Sequence, residues 1–178
     1  MWIFGYGSLM FDGWETACGC IDRKRAELPS YRRSFNKRSV ESRGTRATHG
    51  LTLNLARAEG EVCRGIAFAF EDNDQAQQIL LGLERREACK RRALAVQLED
   101  GRTVTAQVFI YEGNNLIDDS MPVTNKADIV VKAAGIRGSN FDYVRDTYEG
   151  LKRVGVDDPA VTALWEAVKK HPGRPKLL

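Results

Sequence analysis

The first stretch whose residues could bind a ligand or take part in catalysis is a Gly-Tyr-Gly-Ser turn at positions 5–8. It directly follows an apolar Trp-Ile-Phe run at 2–4. The apolar run is typical of a buried strand. Gly5 and Gly7 permit backbone conformations closed to other residues, and consecutive N–H groups in such a turn can form an anion-binding nest. The same residues also suit a tight turn that closes an N-terminal strand. The turn is therefore either a binding loop for an anionic group or a purely structural connection.

Two better-known motifs do not fit this turn. A dinucleotide-binding G-x-G-x-x-G beginning at Gly5 requires glycine where Met10 stands. A nucleophile elbow G-x-S-x-G around Ser8 requires glycine at both Tyr6 and Met10. We therefore interpret Ser8 as a turn hydroxyl or a ligand donor and not as a nucleophile.

Glu87 is the candidate general acid or base. An apolar stripe at i, i+3, i+4 and i+7 follows the capping residues at 72–74 and predicts an amphipathic helix. Glu87 lies four residues beyond Leu83, on the same stripe. A carboxylate there either turns to solvent where the helix ends or occupies a partly buried pocket, and burial raises the pKa of a carboxyl group as acid–base catalysis needs. The pattern alone favours the surface carboxylate.

Metal and thiol chemistry have little support in the sequence. The four cysteines, Cys18, Cys20, Cys63 and Cys89, lack the paired spacing of a zinc site, and we expect reduced thiols and no metal. A Cys–His hydrolase would need His49 beside one of these thiols, which is a minor alternative.

Composition sets the class of protein. The 178 residues fit one domain over 1–178 and include 43% hydrophobic and 29% charged residues, as in an ordinary globular protein. The net charge of +3 does not require a polyanionic partner. Without a leader-like or long apolar segment, we expect a cytoplasmic protein with no membrane or nucleic-acid partner. The basic segment 23–46, with Tyr31 and Phe35, is the best argument for nucleic acid, but a solvated face or a rim around a small anion fits it better.

Strand patterns position the turn. Apolar residues alternate around 51–55, 66–70, 94–98 and 104–110. Residues 58–61 predict one hairpin turn, and Glu99-Asp100-Gly101-Arg102 predicts another. With the N-terminal strand, these hairpins give at least five mostly antiparallel strands that can curl into a barrel. Residues 11–30 predict a loop with one irregular strand.

The last third predicts three helices. Thr124 is the expected cap of a helix that ends at Gly135, Ser139 caps the next, and Asp158-Pro159 begins the third. Residues 172–178 contain enough proline, glycine and charge for a flexible tail.

Several short motifs together resemble the ChaC-like γ-glutamylcyclotransferases. They run over nearly the whole chain: Phe4-Gly5-Tyr6-Gly7-Ser8-Leu9, Tyr31-Arg32-Arg33 with Phe35, Arg43-Gly44-Thr45, Leu83-x-x-Arg86-Glu87, and Gly135-x-x-Gly138-x-Asn140-x-x-Tyr143. The resemblance implies an α+β fold, a small mixed or antiparallel β-barrel flanked by helices. It also implies lyase-type, cofactor-free cyclisation of γ-glutamyl peptides, typically glutathione, to 5-oxoproline and the released amine.

The resemblance also assigns roles to particular residues. It makes Glu87 the catalytic acid–base residue and Tyr6, Gly7, Ser8, Leu9 and Tyr143 the substrate-binding residues. Residues 88–92 replace a Gly-Gly-Tyr of many glutathione-acting members, and Ser42 stands where histidine is frequent. Two alternatives follow: a cyclotransferase for another γ-glutamyl amine or amino acid, and a non-catalytic module that binds an anionic metabolite.

Overall fold

A computed structural model describes residues 1–175 of the chain. In chain order the strands are β1 (Trp2–Gly5), β2 (Asp22–Ser39), β3 (Gly50–Ala69), β4 (Lys90–Leu98), β5 (Thr103–Ile110), β6 (Ala134–Gly135) and β7 (Gly138–Ser139). The helices are α1 (Trp14–Ala17), α2 (Asp74–Glu87), α3 (Val123–Lys132), α4 (Asn140–Arg153) and α5 (Pro159–Lys170), and a 3-10 turn covers Ser8–Met10.

The first five strands form a closed barrel in the order β1-β3-β2-β4-β5. Strand β1 pairs antiparallel with β3, Trp2 opposite Ala69, and parallel with β5, Trp2 opposite Ala106. Strand β4 pairs antiparallel with both β5 and β2. Closure removes the unpaired edges that an open sheet would expose. The predicted α+β fold with a mixed, mostly antiparallel barrel is confirmed.

Only one of the two predicted hairpin turns exists. Residues 99–102 connect β4 to β5 as expected from Asp-Gly. The predicted turn at 58–61 is wrong, because β3 continues through it from Gly50 to Ala69. Gly60 has a positive φ of 80°. Glycine accepts this conformation inside a strand, as at β-bulges, without reversing the chain.

Strand β2 is much longer than the sequence patterns indicated. Its 18 residues cover positions predicted as loop and most of the basic segment. Charged residues obscure the alternation here because one of them faces inward: Arg33 is only 1% exposed and pairs with Asp158 at 3.0 Å. A buried arginine needs such a partner. The expectation of a solvated face or a rim around a small anion is therefore wrong at Arg33.

Helix capping was predicted well, with one exception. Asn73 accepts a hydrogen bond from the Ala76 N–H at the start of α2, and Ser139 and Asp158 cap α4 and α5 in the same way. The predicted Thr124 cap is wrong, because α3 begins at Val123 with Pro122 in the capping position. Helix α3 also ends at Lys132 and not at Gly135, since residues 134–135 form β6.

The described residues divide into two compact units. The first unit contains Met1–Arg32 and Leu55–Glu112, and the second contains Arg33–Asn54 and the described residues from 113 on. The single domain over 1–178 stays a prediction. Of the predicted tail at 172–178, residues 176–178 lie outside the described part of the chain. Through residue 175, no helix has the length and apolar character needed to cross a membrane.

Candidate functional site

In the first unit, the chain leaves β1 and tightens into a 3-10 turn. The N–H of Met10 donates to the Gly7 carbonyl at 2.9 Å, and the N–H of Phe11 donates to the Ser8 carbonyl at 3.0 Å. Leu9 is buried, and its carbonyl accepts from the indole Nε1 of Trp14 at 2.9 Å. The turn is therefore stabilised by the burial of Leu9 and by its own main-chain hydrogen bonds.

The main-chain donors of this turn are not all used. Among residues 1–175, no hydrogen-bond acceptor takes the N–H groups of Gly7, Ser8 or Leu9. Successive unsatisfied N–H groups are the donors that an anion-binding nest requires. We call residues 7–9 the donor loop. The lack of an internal acceptor fits the binding-loop interpretation, which stays a prediction.

Tyr6 differs from its neighbours in that its side chain already has a partner. The ring is buried, and the hydroxyl donates to the carbonyl of Phe109 in β5 at 2.8 Å. A phenol has a single proton to donate, and this carbonyl takes it. Tyr6 thus ties the start of the donor loop to the barrel wall.

Glu87 is the last residue of α2. The helix ends there because Ala88 adopts the left-handed conformation, with φ 49°. The Glu87 side chain is 29% exposed, between the two positions that the sequence left open. The Cys89 thiol donates to the Glu87 carbonyl at 3.1 Å and caps the helix end from the other side.

Arg86 brings the donor loop and Glu87 together. Its Nη2 donates to the Ser8 hydroxyl oxygen at 3.5 Å and pairs with the carboxylate of Asp12. Its Nε lies 3.0 Å from Oε1 of Glu87. Neither Arg86 nor Asp12 was predicted as a site residue. The available signal for Arg86 was its place immediately before Glu87 in the Leu83-x-x-Arg86-Glu87 motif.

Tyr143, the remaining predicted site residue, lies in α4 of the second unit. Its hydroxyl oxygen accepts from the Leu53 N–H at 3.1 Å. The Arg43 guanidinium lies over the ring, 5.3 Å from its centroid, and the Phe35 ring meets it edge-on at 6.5 Å. Tyr143 is therefore held by β3 and by its two neighbours in this unit.

The other motif residues of the second unit are packed into its backbone. Oδ1 of Asn140 accepts from the Leu51 N–H at 2.7 Å, while Nδ2 donates to the Leu51 carbonyl at 2.8 Å. The Asn140 side-chain amide thus makes the two hydrogen bonds with the Leu51 main chain that a neighbouring strand would otherwise make. Gly44 approaches Gly50 so closely that an added Cβ would lie 2.1 Å from the Gly50 nitrogen. The Arg43-Gly44-Thr45 motif therefore needs glycine for packing.

A polar cleft of about 380 Å³ opens elsewhere in the first unit, near the chain start. Its lining includes Trp2, Asp72 and Arg91 but none of the predicted site residues. The cleft lies at the N-terminal end of β1, whereas the donor loop follows the C-terminal end of the strand. The candidate site is the cluster around Arg86 and not this cleft.

The four cysteines are free thiols, as expected. Burial raises the pKa of the Cys20 thiol, which keeps it protonated at neutral pH and lowers its reactivity. Within residues 1–175, no group of three or more His, Cys, Asp or Glu side chains is arranged to hold a metal ion.

Comparisons with known proteins agree on one family. Residues 1–171 match the family described as ChaC-like protein. "Gamma-glutamylcyclotransferase 2-3" of Arabidopsis thaliana is 32% identical and covers 95% of this chain and 88% of its own length. The "Glutathione-specific gamma-glutamylcyclotransferase" of Escherichia coli K12 is 31% identical and covers 96% of this chain and 73% of its own length.

A solved structure supports the fold independently. The crystal structure of a yeast γ-glutamyl cyclotransferase specific to glutathione has a TM-score of 0.83 to this chain, with 20% identity and 96% of each chain covered. At that identity the likeness concerns the fold. Together with the family match over residues 1–171 and the two relatives above 30% identity, it confirms the resemblance seen in the sequence motifs. The chain belongs to the ChaC-like protein family.

Proposed function

We propose that this protein is a γ-glutamylcyclotransferase that converts glutathione to 5-oxoproline and Cys-Gly. One observation carries the proposal: a single guanidinium, that of Arg86, contacts both the donor loop at Ser8 and the carboxylate of Glu87. These are the two predicted parts of the site, a binding loop and an acid–base group. The relatives' names, γ-glutamylcyclotransferase and its glutathione-specific form, supply the reaction class.

The reaction needs no nucleophile from the enzyme. The α-amine of the γ-glutamyl group attacks its own γ-carbonyl carbon, and the new C–N bond closes a five-membered ring. The amide bond to the cysteine nitrogen then breaks, and Cys-Gly leaves as an amine. No atom is oxidised or reduced and no water is consumed, so we propose that the enzyme uses neither a metal nor a cofactor.

Glu87 moves the proton. An α-amine has a pKa of roughly 8 and is mostly protonated at neutral pH, where it cannot attack. The α-ammonium group first loses one proton to solvent and becomes a neutral amine. As this amine attacks, the Glu87 carboxylate takes a second proton from it and delivers that proton to the leaving nitrogen. Its partial exposure leaves one side accessible to substrate while Arg86 holds the other.

The donor loop holds the substrate. Free N–H groups of Gly7, Ser8 and Leu9 bind the α-carboxylate of the γ-glutamyl group, next to the amine that must attack. Fixing the α-carboxylate places the attacking amine and lowers the entropy cost of the folded conformation in which the ring closes. We propose that Tyr6 supports this loop and that Tyr143 also contributes to substrate binding.

Partner and compartment follow from the same chemistry. We propose a cytoplasmic enzyme, because its free thiols suit a compartment that keeps thiols reduced. Its ligand is a small γ-glutamyl compound, with no nucleic-acid or membrane partner.

A different leaving group remains the second candidate, since residues 88–92 are Ala-Cys-Lys-Arg-Arg. In the structure, Arg91 lies 3.3 Å from Glu84 and Arg92 pairs with Glu112. The charges of these two arginines are therefore already compensated. This observation weakens the case for an acidic leaving group and leaves glutathione as the first substrate to test.

The test is incubation with glutathione and a panel of γ-glutamyl dipeptides and amines, with 5-oxoproline measured by mass spectrometry. Release from glutathione at the highest kcat/KM supports the proposal. Higher kcat/KM with another compound identifies the related cyclotransferase. Binding of these compounds without turnover would instead identify a non-catalytic metabolite-binding module.

A further inference from the structure

We infer that Arg86, held by Asp12, is a positioning residue that sets the Glu87 carboxylate against the donor loop. The inference rests on the proposed function for its consequence in catalysis, although the contacts themselves do not depend on it. Three groups meet at this guanidinium: Oε1 of Glu87 at 3.0 Å, the carboxylate of Asp12, and the hydroxyl oxygen of Ser8 at 3.5 Å.

The geometry of arginine makes this arrangement rigid. Nε and Nη2 lie on one edge of a planar guanidinium, in a fixed fork. Nε contacts Glu87, while Nη2 contacts both Asp12 and Ser8. The plane therefore links the end of α2 to the turn after β1, and it fixes Glu87 relative to residues far away in sequence.

The charges of the cluster also suit the proposed substrate. Two carboxylates share one guanidinium, so these three side chains carry one surplus negative charge. A substrate α-ammonium group compensates that charge. Asp12 contacts Nη2 while Glu87 contacts Nε, so both carboxylates are held on the same edge of one guanidinium.

A purely structural role explains these contacts poorly. Arg86 is 29% exposed and Asp12 28% exposed, and ion pairs this exposed contribute at most about 1 kcal/mol to folding. Position matters more in catalysis, since a displacement of about 1 Å can cost roughly 100-fold in rate. Loss of Arg86 should therefore affect turnover far more than stability.

The experiment compares Arg86→Gln, Arg86→Lys, Asp12→Asn and the Asp12→Asn/Arg86→Gln double variant. Arg85→Gln is the matched control, since Arg85 is exposed in the same helical turn and makes no ion pair within residues 1–175. We measure kcat and KM for 5-oxoproline release from glutathione, with thermal unfolding of each variant.

Arg86→Gln should lower kcat by about 10- to 100-fold with little change in KM or melting temperature. Arg86→Lys keeps the charge without the fork and should recover part of the loss. Asp12→Asn should lower kcat less, and the double variant should be no slower than Arg86→Gln, because the two residues act as one unit. Arg85→Gln should match the wild type.

A second readout needs no activity: the NMR titration of the Glu87 carboxyl carbon. A cation beside a carboxylate favours its ionised form, so Arg86→Gln should raise the Glu87 titration midpoint. The Asp12 carboxyl group titrates in a similar pH range and could affect the Glu87 signal. Asp12→Asn removes that titration, so the effect of Arg86 on Glu87 can be measured separately.

The outcomes separate two failures. A wild-type protein that forms no 5-oxoproline from any compound contradicts the proposed function, whereas an unchanged Glu87 midpoint in Arg86→Gln contradicts the inference alone. Wild-type kcat in Arg86→Gln, or rate losses that multiply in the double variant, would also overturn it. Failure of Arg86→Gln to fold would mean a structural role and would count against positioning.

Discussion

The two units use their polar motif residues in opposite ways. In the second unit, the side chains of Asn140 and Tyr143 are hydrogen-bonded to the main chain of Leu51 and Leu53. In the first unit, the donor loop has N–H groups without an acceptor among residues 1–175, and the Glu87 carboxylate is partly exposed. One set of polar groups is hydrogen-bonded inside its own unit, whereas the donor-loop N–H groups have no acceptor among residues 1–175.

This difference teaches how to divide a family motif between folding and chemistry. A buried polar group that is fully hydrogen-bonded stabilises the fold, and its removal leaves a partner unsatisfied. Main-chain N–H groups without an acceptor in the fold, such as those of the donor loop, do not stabilise it in this way. The comparison predicts that substitutions in the two units should separate turnover from stability.

The largest effect is expected for Glu87→Gln. The change keeps size and hydrogen bonding but removes the base, so kcat for 5-oxoproline release should fall about 100- to 10,000-fold. The melting temperature should change little, because the ion pair with Arg86 is partly exposed. Glu84→Gln is the control, since Glu84 lies on the same helix as Glu87, is similarly exposed and pairs with Arg91 of β4. A folded Glu87→Gln variant with wild-type kcat would remove Glu87 from the mechanism.

Asn140→Ala should have the opposite signature. It leaves the N–H and the carbonyl of buried Leu51 without partners, which should lower the free energy of unfolding by about 2 to 4 kcal/mol. Turnover per folded molecule should stay near that of the wild type. Urea unfolding and kinetics below the transition measure both. Asn140→Asp, which keeps only the acceptor, should lie between the two, and a stable but inactive Asn140→Ala variant would contradict the comparison.

A smaller effect is expected for Tyr143→Phe. The Leu53 N–H loses its acceptor, and the cost should be about 1 kcal/mol of unfolding free energy. Tyr148→Phe is the control, because no residue in the described chain hydrogen-bonds to the Tyr148 hydroxyl. The same variant tests the predicted role of Tyr143 in substrate binding: a raised KM for glutathione supports it, and an unchanged KM contradicts it.

The smallest effect concerns His49 in the second unit. Burial, with a further contribution from Arg38, lowers the pKa of His49 below 6.5. The unfolded chain then binds more protons than the folded chain at mildly acid pH, so stability should decrease as pH falls below about 6.5. His49→Gln should flatten the melting temperature between pH 7 and pH 5. A steeper decrease in His49→Gln than in the wild type would show that the sign is wrong.

Local patterns predicted the elements whose causes are local. Asp158-Pro159, Asn73 and Asp100-Gly101 act on their own neighbours, and each starts or turns an element where expected. The long strand β3 could not be predicted, because Gly60 is typical of a turn although the strand continues through it. Arg33 looks like a surface residue because its partner, Asp158, is 125 positions away.

The candidate site divides in the same way. Glu87 and Ser8 stand out individually, one from helical periodicity and one from a glycine-rich turn. Arg86 joins them over a separation of 78 residues, which no periodicity reports. Asp12 had no motif at all. Candidate substrate-binding residues can be proposed from residue type and spacing, whereas the residues that orient them become evident only from contacts.

The pairing of β1 also has a consequence for the order of folding. This strand of 4 residues pairs residue 2 with residue 69 on one side and with residue 106 on the other. Contacts so distant in sequence form slowly, because the intervening chain must be ordered before they contribute. The β4–β5 hairpin has no such delay. We therefore expect β1 to be among the last strands of the barrel to pair, and the donor loop to acquire its shape only as the barrel closes.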